Sequence, residues 1–238
     1  MQIICIIFCF FHSFFVPLHR FLKMKSRIQH ILQSELVKNS TKLLSANVVA
    51  QAIGLAVYLI LPRFYSQEDF GLFSLFLSIG GVFSVISTAE YQYSIVLAKD
   101  EEHARASVRL CHMILLATVV VLAISVLFSH SIASLFKAPE LARIYWLLPL
   151  FVLFTGAWNI QNYRFSRAKN FSKISVYQVT QTSIASGLKL VLGFVHYAGG
   201  LALSSVIGPL ISLVTVGRIK EERVTAAPVR EVAREYKN

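Results

Sequence analysis

The amino-acid sequence predicts an all-α integral membrane protein, a bundle of six transmembrane helices. Hydrophobic residues make up 55% of the 238-residue chain and charged residues 15%, whereas a soluble domain carries about 25% charged residues. The apolar residues fall into long runs, each near the ~20 residues that a helix needs to cross about 30 Å of hydrocarbon. Basic residues are concentrated between these runs and not along one face of a soluble domain.

A short polar hinge, residues 61–74, separates the first two apolar runs and organises the rest of the chain. Pro62 ends the first helix, because proline lacks a backbone N–H and disfavours helix at the residue before it. The second helix is predicted to begin after Glu68 and Asp69, since the positive end of the helix dipole favours carboxylates at a helix N-terminus. Two antiparallel membrane helices are therefore predicted to meet at this hinge.

The succession of apolar runs along the chain predicts six transmembrane spans, each close to the length needed to cross a membrane. They are Leu43–Leu61, Phe70–Tyr91, Val108–Phe128, Ile144–Gln161, Val176–Val195 and Gly199–Val216. Together they form a membrane lobe, residues 43–216.

The two ends of the chain differ from this lobe. Residues 1–23 are an apolar N-terminal extension without the basic start or the cleavage site of a signal peptide. Two interpretations stay open: translation begins at Met24, or the extension adds a poorly formed extra span. Residues 24–42 are predicted to be a cytoplasmic segment, and residues 217–238 a basic cytoplasmic tail or connector.

The positions of the basic residues predict the orientation of the bundle. The segments on one side of the six spans contain 17 Lys and Arg residues and those on the other side contain 3. Cytoplasmic loops of membrane proteins carry the excess of basic residues. Both terminal segments are therefore predicted to be cytoplasmic. The net charge of +11 follows from this arrangement, so we expect no nucleic-acid partner.

The sequence does not indicate an enzyme. Cys5, Cys9 and Cys111 form no Cys-x-x-Cys pair, and no histidine stands at the spacing of a metal site. A phosphate-binding loop of the form G-x-x-x-x-G-K-[ST] is missing, as is a membrane-embedded carboxylate pair. We therefore expect no catalytic residue, no metal and no cofactor.

Polar residues inside the predicted spans are the candidate binding residues, because such residues must face protein or water and not lipid. In the first span, polar and small residues recur at i, i+4, i+7 and i+11, on one helical face; they are Asn47, Gln51, Gly54 and Tyr58. The fifth span contains Gln178, Gln181 and Lys189. For Lys189 two interpretations remain: its side chain reaches the membrane surface, or it binds an anion in a central cavity.

Three prolines are predicted to be hinge or kink positions, because a proline inside a helix removes a backbone hydrogen bond. They are Pro62 in the polar hinge, Pro149 in the fourth span and Pro209 in the sixth.

Four local motifs occur in a characteristic order. They are Leu61–Ser74 (LPRFYSQEDFGLFS), Glu90–Glu102 (EYQYSIVLAKDEE), Asn162–Phe171 (NYRFSRAKNF) and Gly199–Leu201 (GGL). In this combination the chain resembles the polysaccharide (O-antigen or lipid-linked oligosaccharide) flippases of the multidrug/oligosaccharidyl-lipid/polysaccharide exporter superfamily. One departure is Glu90-Tyr91-Gln92, where such flippases often have Arg-Tyr-Glu.

The resemblance implies one lobe of a two-lobed flippase fold, with this chain similar to the N-terminal six-helix lobe. It implies alternating access, in which two lobes rock about a central cavity in the bacterial inner membrane. The implied ligand is an undecaprenyl-pyrophosphate type of lipid-linked oligosaccharide. Lys189 is then the candidate for the pyrophosphate, and Asn47, Gln51, Gln178 and Gln181 are candidates for sugar hydroxyls. The expected partners are membrane lipid and a second lobe or a second copy of the chain.

Two other functions are compatible with the same residues. A multidrug or metabolite antiporter of the same superfamily needs an ionisable coupling residue in the lobe, and Glu90 and Lys189 are the two residues that qualify. The other alternative is a structural membrane subunit or a non-functional fragment, since one lobe alone does not enclose a cavity.

Overall fold

A computed structural model of the chain describes residues 35–197 and 199–217, and these residues form helices and short connections without a strand. Residues 1–42 and 43–238 separate into two compact units. Of the first unit, residues 35–42 are described, as the beginning of a helix. The predicted N-terminal extension 1–23, most of segment 24–42 and nearly all of tail 217–238 lie outside the described residues.

Each of the six predicted spans coincides with one long helix, and three short helices lie between them. The described helices are α1 (Glu35–Ile60), α2 (Gln67–Ile86), α3 (Gln92–Leu97), α4 (Glu101–Ser125), α5 (Ser129–Leu135), α6 (Leu141–Ile144), α7 (Leu147–Arg167), α8 (Phe171–Phe194) and α9 (Gly200–Val216).

Three helical stretches of the described part are both long and apolar enough to cross a membrane. They are Thr41–Arg63, Gln67–Ile86 and Glu101–Leu135. Helix α9 is apolar but has only 17 residues. Helices α7 and α8 have 21 and 24 residues but carry more polar side chains. The chain is therefore a membrane-type helical protein, and the count of six spans stays a prediction.

Helix α7 is the central helix of the unit, and it packs against α2, α3, α4, α8 and α9. On one side Phe151 packs edge to face on Phe76 of α2, with ring centroids 5.5 Å apart. On another side Trp158 stacks on Tyr177 of α8, with ring centroids 3.3 Å apart. A small residue is needed where α4 approaches, because a Cβ at Gly156 would lie 2.5 Å from Leu115. Polar residues of α7 therefore lie near several other helices.

The helix termini lie at two ends of the bundle. At one, which we call the hinge end, the turn after α1 meets the last turn of α8 and the first of α9, through contacts of Tyr65 with Gly193 and Gly200. At the other, the basic end, the last turn of α7 meets α3 and the start of α4 through Arg167. The long helices thus run up and down between these two ends.

The polar hinge has the predicted form. Pro62 lies in a 3-10 turn, Leu61–Arg63, that ends α1. Helix α2 then begins at Gln67, earlier than the predicted Phe70, because Ser66 and Asp69 form a capping box. The Asp69 backbone N–H donates to the Ser66 hydroxyl at 3.2 Å, and the Ser66 N–H donates to the Asp69 carboxylate at 2.9 Å. Such a box satisfies backbone groups that the first turn of a helix leaves unpaired.

Tyr65 fixes the hinge to α8 and α9. Its side chain is 5% exposed, and its hydroxyl donates to the Lys189 carbonyl at 2.9 Å. A Cβ at Gly193 would lie 2.8 Å from the Tyr65 ring, and one at Gly200 would lie 2.5 Å from its hydroxyl oxygen. Burial, aided by the charge of Asp69, raises the pKa of Tyr65 to about 12. The phenol therefore stays protonated, and remains a donor, at neutral pH.

The structure differs from the sequence expectation at one proline and one span. Pro149 is the third residue of α7, so it begins the helix instead of interrupting it, since the first turn needs no donor there. Pro209 lies inside α9, and a kink at this position stays a prediction. The second span was expected to reach Tyr91, but α2 ends at Ile86, and a turn with positive φ at Ala89 and Glu90 leads into α3.

Replacement of Gly193 by Ala should destabilise the bundle by about 1–3 kcal/mol, the usual cost of overpacking, because the new methyl group meets the Tyr65 ring. Gly187→Ala in the same helix is the matched control, since a Cβ there has no atom within 4 Å. Thermal unfolding in detergent measures both. Equal melting temperatures for the two variants would contradict the packing of Tyr65 described here.

Candidate functional site

Three of the five predicted binding residues lie together. The Gln178 side-chain amide of α8 donates to the Asn47 side-chain oxygen of α1 at 3.2 Å. Gln51 donates to the same oxygen at 3.3 Å, one turn further along α1. The Gln178 side-chain oxygen is buried and has no hydrogen-bond partner within the described residues. We call Asn47, Gln51 and Gln178 the amide cluster.

The polar face of α1 is only partly turned toward α8. Gly54 faces α8, since a Cβ there would lie 3.8 Å from the Thr182 methyl group. Gln51 is exposed, and Tyr58 is 60% exposed, with its ring edge to face with Phe70 at 6.0 Å. The regular spacing in the sequence therefore corresponds to two environments in the structure: the gap between α1 and α8, and the surface of α1.

Lys189 lies apart from the amide cluster, near the hinge end. It is 11 residues after Gln178 on α8, which corresponds to about 16 Å along the helix axis. Its ammonium nitrogen lies 5.2 Å from the centre of the Phe73 ring on α2, within the ~6 Å range of a cation–π contact. The side chain is only partly exposed. In the structure Lys189 thus points between α8 and α2.

Gln181 joins neither group. Its side chain is partly buried and has no hydrogen bond within the described part of the chain. Its backbone carbonyl lies where α9 comes close, since a Cβ at Gly208 would be 3.3 Å from it. The Gln181 backbone therefore lies beside α9, whereas the Gln178 side chain contacts α1.

Sequence reasoning missed a polar line on α7. Thr155, Asn159, Asn162 and Ser166 recur at i, i+4, i+7 and i+11, the same spacing that marked α1, and this spacing could have revealed them. All four side chains are partly exposed, and none has a hydrogen bond within the described residues. The central helix therefore carries a row of polar side chains whose hydrogen-bonding groups are unused within the described residues.

Arg167 holds the basic end together. Its guanidinium donates to the Ile95 carbonyl at 3.1 Å and to the Ala98 carbonyl at 2.7 Å, at the end of α3. It also donates to the Glu101 carboxylate, in the first turn of α4, at 3.0 Å. One side chain thus neutralises the last carbonyls of one helix and pairs with the first carboxylate of the next.

The chemistry of these groups is that of binding. Neutral amides and hydroxyls donate and accept hydrogen bonds, and Lys189 supplies a positive charge away from bulk water. Within the described residues there is no group of three His, Cys, Asp or Glu side chains that could hold a metal ion.

Comparison with known families agrees with a membrane protein of glycan biosynthesis. Residues 60–235 match the model of a family described as polysaccharide biosynthesis protein. This match covers all four sequence motifs in full. Searches of curated proteins and of solved structures find no match.

Arg167→Ala should destabilise the bundle by about 3 kcal/mol, because it leaves two helix-end carbonyls without their charged donor. Arg143→Ala is the matched control. Its guanidinium pairs with Glu140 at 2.7 Å, but that pair is exposed, and such pairs contribute about 1 kcal/mol or less. Thermal unfolding of both variants in detergent tests this difference. An equal, small shift would show that Arg167 acts only as a surface charge.

Proposed function

The chain belongs to the polysaccharide biosynthesis protein family, and on that premise we propose that it moves a lipid-linked oligosaccharide across a membrane. The proposed cargo is an oligosaccharide on a polyprenyl pyrophosphate of the undecaprenyl type. The proposed process is flipping without a covalent step, so the chain acts as a transporter and not as an enzyme.

The observation that carries this proposal is the separation of two kinds of polar group within an apolar bundle. The amide cluster and the α7 polar line offer neutral hydrogen-bonding groups, which suit sugar hydroxyls. Lys189 offers a cation about 16 Å away along α8, which suits a pyrophosphate. A lipid-linked oligosaccharide contains both chemistries in one molecule. Partly desolvated, the ammonium attracts an anion more strongly than it does in water.

The cation–π contact of Lys189 supports a binding role over the alternative that the side chain reaches the membrane surface. An ammonium on an aromatic ring keeps its charge exposed on the opposite side, and Phe73 lies on a neighbouring helix rather than at the lipid surface. In the proposed cycle the pyrophosphate takes the place of water around the ammonium. The polyprenyl chain stays in lipid.

The surface of α1 supports a two-part assembly. Only 11% of the most apolar 18-residue window of Thr41–Arg63 is buried, and the Gln51 amide in this stretch is exposed. Since polar groups in a membrane must face protein or water, we propose that a second lobe or a second copy of the chain covers this face. Alternating access between the two halves would then expose the sugar groups first to one side and then to the other.

The charge distribution supports a proposed orientation of the chain in the membrane. We propose that the basic end is cytoplasmic and the hinge end periplasmic, in a bacterial inner membrane, because basic segments are retained in the cytoplasm. The lipid-linked sugar then enters at the basic end, close to the α7 polar line.

Lys189→Gln should reduce transport of a lipid-linked oligosaccharide by about 10- to 100-fold, the effect of losing a charge-assisted hydrogen bond of about 1.5–3 kcal/mol. The assay follows a fluorescent undecaprenyl-pyrophosphate glycan in vesicles that contain the full chain. Lys137→Gln is the control, because Lys137 is exposed in the connection between α5 and α6.

Two outcomes would contradict the proposal. Transport by Lys189→Gln at the rate of the Lys137→Gln control would remove Lys189 from the pyrophosphate site. Vesicles with wild-type protein that move no lipid-linked glycan, while the protein is folded, would overturn the proposed function itself.

A further inference from the structure

The turn between α2 and α3 has an unusual backbone. Ala89 and Glu90 have φ values of 44° and 63°, two consecutive residues in the left-handed region. Three other non-glycine residues with positive φ occur singly, just after helix ends: Lys137, Lys169 and His196. Each of those three lies within a six-residue hydrogen-bonded loop that ends a helix in the common way. The Ala89–Glu90 pair has no such loop and is the strained segment of the described chain.

This strained turn sets Glu90 at the surface of the basic end. Its side chain is exposed and forms no ion pair within the described residues. The Glu90 backbone carbonyl accepts from the Tyr93 N–H at 3.3 Å, so the two side chains lie one turn apart. Tyr93 is 48% exposed. An exposed carboxylate and a half-exposed aromatic ring are therefore carried by two residues of one hydrogen-bonded turn at the basic end.

Tyr93 is held in place by a contact with the central helix. Its ring packs edge to face on Tyr163 of α7, with ring centroids 5.2 Å apart. On the same short helix, the buried Gln92 side-chain oxygen has no hydrogen-bond partner in the described part. The part of the Tyr93 side chain that does not contact α7 remains accessible to a ligand.

The charge of Glu90 also acts on the Tyr163 phenol. Burial is the main reason that the pKa of Tyr163 is raised to about 12, and the hydrogen bond with Tyr93 and the charge of Glu90 add to it. This electrostatic influence agrees with the backbone hydrogen bond that joins Glu90 and Tyr93 in one turn. Asn159, a member of the α7 polar line, lies one turn before Tyr163 on the same helical face.

We propose that Glu90 and Tyr93 form a sugar-binding subsite at the basic end, which favours sugars with an amino group over sugars with a carboxylate. The exposed Tyr93 ring offers an apolar surface for the C–H face of a sugar ring, and its hydroxyl donates to a sugar oxygen. The Glu90 carboxylate accepts from O–H and N–H groups, attracts an ammonium and repels a uronate. The role of this subsite in transport rests on the proposed function; its selectivity does not.

Saturation-transfer NMR on the full chain in detergent tests the subsite with three probes: the methyl glycosides of glucosamine, glucose and glucuronate at pH 7. We expect the wild-type protein to bind them in that order, with about tenfold between the first and the last. Glu90→Gln should reduce this difference to about twofold, and Glu90→Lys should reverse the order. Tyr93→Phe should weaken all three sugars alike and keep their order.

The matched control is Glu102→Gln, which removes another exposed carboxylate at the basic end, in the first turn of α4. It should leave the order and the affinities unchanged. Because Glu90 and Glu102 are both exposed, neither change is expected to prevent folding, and thermal unfolding verifies this.

The outcomes separate this inference from the proposed function. An order of binding that Glu90→Gln leaves unchanged, or failure of the wild-type protein to bind any of the three sugars at millimolar concentration, would overturn the subsite. If the order depends on Glu90 while vesicles move no lipid-linked glycan, the subsite stands and the proposed function fails. If transport occurs but the order of binding is independent of Glu90, the proposed function stands and the subsite fails.

Discussion

The insertion of Tyr65 between Gly193 and Gly200 is the contact on which the hinge end depends. The ring fills space that a side chain at either glycine would occupy, and its hydroxyl holds the Lys189 carbonyl. The same residue, Lys189, rests its ammonium on Phe73 of α2. One short turn thereby connects α1, α2, α8 and α9. It also fixes the position of Lys189, the one positive charge of the proposed binding site, along the bundle.

The basic end is joined differently, through charge. Arg167 links α7, α3 and α4 with three hydrogen bonds, while hydrophobic and aromatic contacts dominate the hinge end. This difference agrees with the charge distribution of the chain, on which the proposed cytoplasmic position of the basic end rests. It also leaves the basic end more open: the α7 polar line, Glu90 and Tyr93 are all partly or fully exposed there. In the proposed function, sugar recognition belongs to this end and pyrophosphate binding to the other.

The sequence predicted the helices well, and the binding roles of the candidate residues stay a prediction. Length and apolar composition alone placed the six long helices, because a membrane helix must satisfy its backbone internally. The chemistry of Pro62, Ser66 and Asp69 is local, so the hinge could be predicted as well. Among the candidate residues, Asn47, Gln51 and Gln178 do meet, but Gln181 forms no hydrogen bond with them. The α7 polar line was missed although its spacing equals that of α1, since periodicity alone does not tell which helix lies at the centre of a bundle.

The sequence by itself determined a membrane-type helical protein of a polysaccharide biosynthesis family, the approximate helix boundaries and the predicted orientation. These follow from local properties: hydropathy, capping residues and charge along the chain. Only the tertiary structure decided which glycines receive Tyr65, where the Lys189 ammonium points, and that Glu90 and Tyr93 stand beside Tyr163, 70 or more residues away along the chain. Such contacts depend on the packing of distant helices and on a strained turn, and neither is encoded by the periodicity of a single segment.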